Sequence, residues 1–165
     1  MMYRTHAALS VLIGLIFIKL FPFNSIVDTT IFLCLVIIIG TVPDLDHEKS
    51  KLSQKFKTIS QILRLVFSHR GFMHSIFPAI IFYVIFEYFG YHIIALGFVI
   101  GYLSHLLGDA LTTEGINFLN PILHLKLEGF IHSGTFVETI ILIILILANG
   151  VMVYGMLLPY IEMLI

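Results

Sequence analysis

The sequence has no tryptophan and a single cysteine, Cys34. One thiol excludes an internal disulfide and any cysteine-cluster metal site. Charge is scarce as well: Asp, Glu, Lys and Arg make up 12% of the 165 residues, and the net charge is −1. With no basic excess, and no basic patch interleaved with exposed aromatics, a nucleic-acid partner is not expected.

What remains is hydrocarbon. Hydrophobic residues are 59% of the chain and the mean hydropathy is +1.04, far from the balance of a soluble domain. They come in blocks near the roughly 20 residues that cross a bilayer. The sequence therefore reads as an integral membrane protein: one all-α domain over 1–165, a polytopic membrane helix bundle. About five transmembrane helices can be drawn, at 7–22, 26–42, 72–90, 92–111 and 136–160. The first block lacks a small-residue cleavage site and reads as a retained span. "FPFNSIVD" joins the first two spans, and "YFGYH", with Gly90 for a tight reversal, joins the third and fourth.

The basic residues set an orientation. Lys49, Lys51, Lys55, Lys57, Arg64 and Arg70 lie in the loop 43–71, and Arg4 and Lys126 fall on the same side, leaving Lys19 alone opposite. The positive-inside rule then places the N-terminus and both large loops in the cytoplasm, in a prokaryotic plasma (inner) membrane. Leu52, Phe56, Ile59, Leu63 and Val66 recur at helical spacing among these lysines. They predict a cytoplasmic amphipathic interfacial helix on anionic headgroups.

Ionisable residues gather at the same face. The hydrocarbon of "IIIGTVPDLDHEK" stops at Pro43 and gives way to Asp44, Asp46 and His47. Carboxylates past a helix C-terminus meet the negative end of its dipole, unless a divalent cation reverses the local sign. His6 opens the first span, His69, Arg70 and His74 lead the third, His105 and Asp109 end the fourth, and Glu138 begins the fifth. His105 and Asp109, four apart, share a helical face with Gly101, Gly108 and Thr112. Ionisable groups in a membrane are costly and usually functional. His and Asp without Cys suit Zn²⁺, Mn²⁺ or Fe²⁺, and several carboxylates suit more than one ion. Arg70, beside a helix expected to start near Gly71, is well placed for a phosphate. His124 and His132 lie in a loop and read as surface histidines or supports to the ligands rather than as ligands.

Together "TH" at 5–6, "PDLDH" at 43–47, "HRGFMHS" at 69–75, "GYLSHLLGDALTTEG" at 101–115 and "GTFVE" at 134–138 resemble the YdjM-like family of inner-membrane proteins. That family is described as LexA-regulated, metal-dependent hydrolases. The resemblance implies an all-α fold distantly similar to zinc-dependent phospholipase C. It also implies a metal site built on His6, Asp44, Asp46, His69, His74, His105 and Asp109. Met73 departs from the Thr or Ser expected there.

The expected activity is phosphoester hydrolysis on a phosphorylated lipid or other amphiphilic substrate at the cytoplasmic leaflet, with membrane lipids as partners. Metal ions would activate water, Arg70 would neutralise phosphoryl charge, and Asp46 or Glu138 would take a proton from water. Two rivals are a divalent metal-ion transporter and a non-catalytic metal- or haem-binding membrane protein. Transport sites usually lie near the midplane, whereas this cluster is at one face. His92 and His105 sit about 20 Å apart along a helix, too far to share a haem.

Overall fold

The apolar blocks fold into helices whose ends fall at identifiable residues. A computed structural model describes residues 1–43 and 72–163. The interfacial helix expected from Leu52 to Val66 and the residues Asp44, Asp46, His47, His69 and Arg70 lie outside the described residues. The helices are α1 (Tyr3–Leu20), α2 (Ile26–Ile39), α3 (Phe77–Tyr88), α4 (His92–Ala110) and α5 (Phe136–Glu162). A 3-10 turn, Phe72–His74, precedes α3, and two short strands, β1 (Ile116–Asn117) and β2 (Lys126–Leu127), pair antiparallel between α4 and α5.

Local chemistry sets these limits. Ser25 Oγ accepts from the amides of Val27 (3.1 Å) and Asp28 (3.5 Å), capping donors that a helix start leaves unsatisfied. Gly90, at φ 77°, turns α3 into α4, as the reversal expected there requires. The third span differs from expectation: its α-helix begins at Phe77 rather than near Gly71, so His74 sits in the turn before it. Pro78 explains the shift, because a proline belongs in the first helical turn, where its missing N–H costs nothing.

Helix α4 is central and packs against α1, α2 and α3. Its approach to α2 is close because Gly97 and Gly101, four apart, replace side chains with backbone. A Cβ on Gly101 would lie 2.7 Å from the Val36 carbonyl oxygen, and one on Gly97 2.8 Å from Leu35 Cβ. Small residues that let backbones approach drive helix association in lipid, where no hydrophobic force distinguishes leucine from acyl chain. On its other side α4 buries Tyr102 and Leu106 against Ala79 of α3 and Ile116 of β1. Helix α5 packs chiefly on α1, where Asn149 Nδ2 donates to the Ala8 carbonyl at 2.9 Å.

Among the described residues three helices, α1, α4 and α5, are long and apolar enough to cross a membrane. Helices α2 and α3, with 14 and 12 residues, rise about 21 and 18 Å, short of the roughly 30 Å hydrocarbon core. The five apolar stretches are thus five helices, three of them of spanning length.

Candidate metal centre

Helix α1 presents His6, Ser10 and Gly14, all buried, at four-residue steps along one stripe. Helix α4 meets it with Ser104, His105, Gly108 and Asp109. One turn below the histidines the Ser10 and Ser104 hydroxyls lie 2.7 Å apart. Ser104 donates to the Gly101 carbonyl, so Ser10 is the donor between them. Above this pair the His6 ring stacks on His105, with centroids 4.1 Å apart and planes 18° from parallel. The room for His6 comes from Gly108, where a Cβ would sit 2.8 Å from both Cε1 and Nδ1 of that ring.

Asp109 gathers the nitrogens. Its Oδ1 lies 3.1 Å from His6 Nε2, and its Oδ2 lies 3.3 Å from His105 Nε2 and 3.6 Å from His74 Nε2. The Met1 ammonium approaches Oδ1 at 2.8 Å. His6, His105 and Asp109 each offer a ligand atom, all within 4.8 Å of one another, in a buried group that can hold a metal ion. His74 is brought to this group by the 3-10 turn, which Tyr102 of α4 pins by donating its hydroxyl to the Met73 carbonyl.

The arrangement fits a cation on two counts. His105 Nδ1 lies 3.0 Å from the Gly40 carbonyl oxygen, which only accepts, so the ring proton is on Nδ1 and Nε2 is turned to Asp109. Metal-binding histidines are commonly fixed this way, by donating the other ring N–H to a backbone carbonyl. In addition, the nitrogen–oxygen separations of 3.1–3.6 Å bracket the edge of a tetrahedron with zinc-like bonds, about 3.4 Å.

Four of the residues expected as ligands, His6, His74, His105 and Asp109, are therefore brought together. Glu138 is buried but engaged elsewhere: Oε1 accepts from the Met2 amide at 2.5 Å and Oε2 from the Gly134 amide at 2.6 Å. It fastens the start of α5 to the start of α1. His132 Nδ1 lies 2.9 Å from Thr113 Oγ1 in an exposed contact. His92 pairs with Glu87 at 2.5 Å at the other end of α4. Sequence reasoning missed the Ser10–Ser104 pair and the Gly40 carbonyl. A serine four residues after His6 and another just before His105 were the available signal for the first. A backbone acceptor leaves none.

The profile of the YdjM inner membrane protein family matches residues 1–164. The chain belongs to that family. One relative is YvsG from Bacillus subtilis (strain 168), 37% identical over 110 residues, which cover 66% of this chain and 69% of that protein. The inner membrane protein YdjM of Escherichia coli (strain K12) is 39% identical over 104 residues, 58% of this chain and 49% of that protein. Its counterpart in Shigella flexneri matches equally. The match spans about half the length of those two relatives. No solved structure matches.

The Gly108 contact yields a prediction. Gly108→Ala should push His6 off Asp109 and lower the metal bound at limiting supply, by roughly 10-fold or more if displacing a ligand costs at least what losing a supporting contact does. Gly150→Ala, on α5 with open space around it, should leave metal content unchanged. Elemental analysis of the two purified variants decides it, and equal loss in both would remove Gly108 from the site.

Proposed function

We propose that this chain is a membrane-bound metal-dependent hydrolase that cleaves phosphoester bonds of a lipid-linked or amphiphilic substrate at the cytoplasmic leaflet. One observation carries the reading: three imidazoles converge on the buried Asp109 carboxylate at one end of a membrane helix bundle. So many ionisable groups at one depth are hard to assign to packing. The donor set, imidazole and carboxylate without thiolate, suits Zn²⁺, with Mn²⁺ or Fe²⁺ as alternatives. Asp109 turns Oδ1 to His6 and Oδ2 to His74 and His105, which supports more than one ion.

Such ions, when bound, supply Lewis-acid charge that acidifies water and polarises a phosphoryl oxygen. The chain's own residues do the rest. The Gly40 carbonyl keeps the His105 proton on Nδ1, and the Ser10–Ser104 bond holds α1 in register with α4. On the sequence reading, Asp44 and His69 extend the ligand set and Arg70 binds the phosphoryl group. Asp46 takes the proton from water. Glu138, its oxygens held by two amides, is assigned to positioning α1. All five apolar stretches enter the bilayer, with the N-terminus cytoplasmic.

The test is a screen of phosphorylated lipids and generic phosphoesters with purified, detergent-solubilised protein, with and without a chelator. Chelator-sensitive hydrolysis is expected. Arg70→Ala should retain its metal, since guanidinium has no lone pair to offer, yet lose roughly 100-fold in rate. Fully metallated protein that hydrolyses no phosphoester would sink the enzyme reading and leave the metal-ion transporter in front.

A further inference from the structure

Between α4 and α5 the chain forms a hairpin that the metal site does not use. It does not project away from the bundle. Gly115, at φ 67°, reverses the chain, and the Gly129 and Ile131 amides donate to the carbonyls of Thr112 (2.9 Å) and Leu111 (3.1 Å). These bonds lay the returning arm across the end of α4. The outgoing arm buries Ile116 against Ala79, Tyr102 and Leu106, and the Ile76 amide donates to the Phe118 carbonyl at 3.0 Å. The hairpin therefore lies beside the first turn of α3 and the last turns of α4, at the level of those helix ends.

The returning arm mixes apolar and polar residues around β2. In "ILHLKLE", residues 122–128, Leu123, Leu125 and Leu127 alternate with His124, Lys126 and Glu128. Only Lys126 and Leu127 are strand there, and the Leu125 amide turns back to the Leu123 carbonyl at 3.0 Å. Across the pair Leu127 is opposite the buried Ile116 and shares its face, while Lys126, opposite Asn117, points the other way. The three leucines stay 55%, 42% and 39% exposed, and Ile122 and Phe130 at either side of them are 78% and 81% exposed. Lys126 and Glu128 pair with each other on the polar face. Phe136, also 78% exposed, begins α5, whose outward aliphatic residues are those of a membrane span.

In water such a surface is a liability; soluble proteins rarely leave a large contiguous apolar patch uncovered. We propose that this hairpin is inserted in the bilayer interface, with Ile122, Leu123, Leu125, Leu127 and Phe130 among the acyl chains. His124, Lys126 and Glu128 face the headgroups. The occupant of the apolar face is lipid because the hairpin is bonded to the end of α4, a helix of spanning length whose Leu107 and C-cap Leu111 are themselves 49% and 38% exposed. An apolar face buried in the headgroup–acyl boundary beneath a polar one is how interfacial segments bind. The inference stands apart from the hydrolase reading and does not depend on the metal.

The absence of tryptophan from the chain makes the test clean. Phe130→Trp and Leu125→Trp each create a single-tryptophan protein, with exposed positions chosen so that folding is spared. Each is reconstituted into phosphatidylcholine–phosphatidylglycerol vesicles whose acyl chains carry bromine, alongside His124→Trp on the polar face and Ile143→Trp on α5. Bromine should quench Phe130→Trp and Leu125→Trp about as well as Ile143→Trp, while aqueous acrylamide reaches His124→Trp best. Acrylamide quenching of Phe130→Trp and Leu125→Trp at the level of His124→Trp would place the hairpin in water and overturn the proposal. Resistance of both variants to both quenchers would overturn it equally, by showing that protein, from this chain or a second copy, covers the leucine face.

Discussion

Asp109→Asn is expected to empty the site of metal and to abolish any chelator-sensitive hydrolysis. The substitution keeps the shape of the side chain and removes its charge. Three imidazole nitrogens lie 3.1–3.6 Å from the two oxygens, so the one carboxylate serves every histidine in the cluster. A neutral amide is a poor ligand for a transition ion and leaves a bound cation without the counter-charge of the carboxylate. Loss of an outer partner of a metal ligand costs roughly 10–100-fold in affinity, and loss of the shared carboxylate should exceed that range. His92→Ala is the control, because His92 is 68% exposed and paired with Glu87 at the far end of α4. Elemental analysis after purification reads both variants. Full metal occupancy in Asp109→Asn would mean that the His–Asp cluster only cements the helices.

Gly40→Ala is expected to damage the site without touching a ligand. A Cβ there would lie 2.0 Å from Ser10 Oγ, a separation that forces the end of α2 away from α1. Overpacking of this kind costs about 1–3 kcal/mol. It also moves the carbonyl that holds His105 Nδ1 at 3.0 Å, which should lower metal affinity by roughly 10–100-fold. Ser10→Gly removes the obstructing hydroxyl and should restore much of both in the double variant. Alone it forfeits the bond to Ser104, about 0.6 kcal/mol by the average for interhelical bonds in membranes. Metal titration and thermal unfolding in detergent measure the two effects. A Gly40→Ala protein with wild-type affinity would show that the carbonyl does not orient His105.

The helices were legible in the sequence because hydrocarbon blocks of that length leave the backbone few other options. His105 and Asp109 were legible for a related reason, since four-residue spacing on a helix places both on one face. His6 and His74 required only that alternating helices return to the same end. The start of α3 was misplaced by several residues because periodicity runs smoothly through Phe72, and only Pro78 marks the helix start. The β1–β2 hairpin read as plain loop, its strands being two residues each, too short for an alternating pattern to announce. Gly40 was invisible as a site residue because its contribution is a main-chain oxygen.

His6 and Asp109 are 103 residues apart, and that separation orders events during biosynthesis. At about 5–20 residues per second, α1 waits roughly 5–20 s after His6 is made before its carboxylate partner leaves the ribosome. Helices that insert singly and associate afterwards accommodate such a wait. On the proposed metal reading, loading is consequently a late event, set by the arrival of α4 rather than by the insertion of α1. A nascent chain halted in α3 has histidines in the membrane and no centre to load.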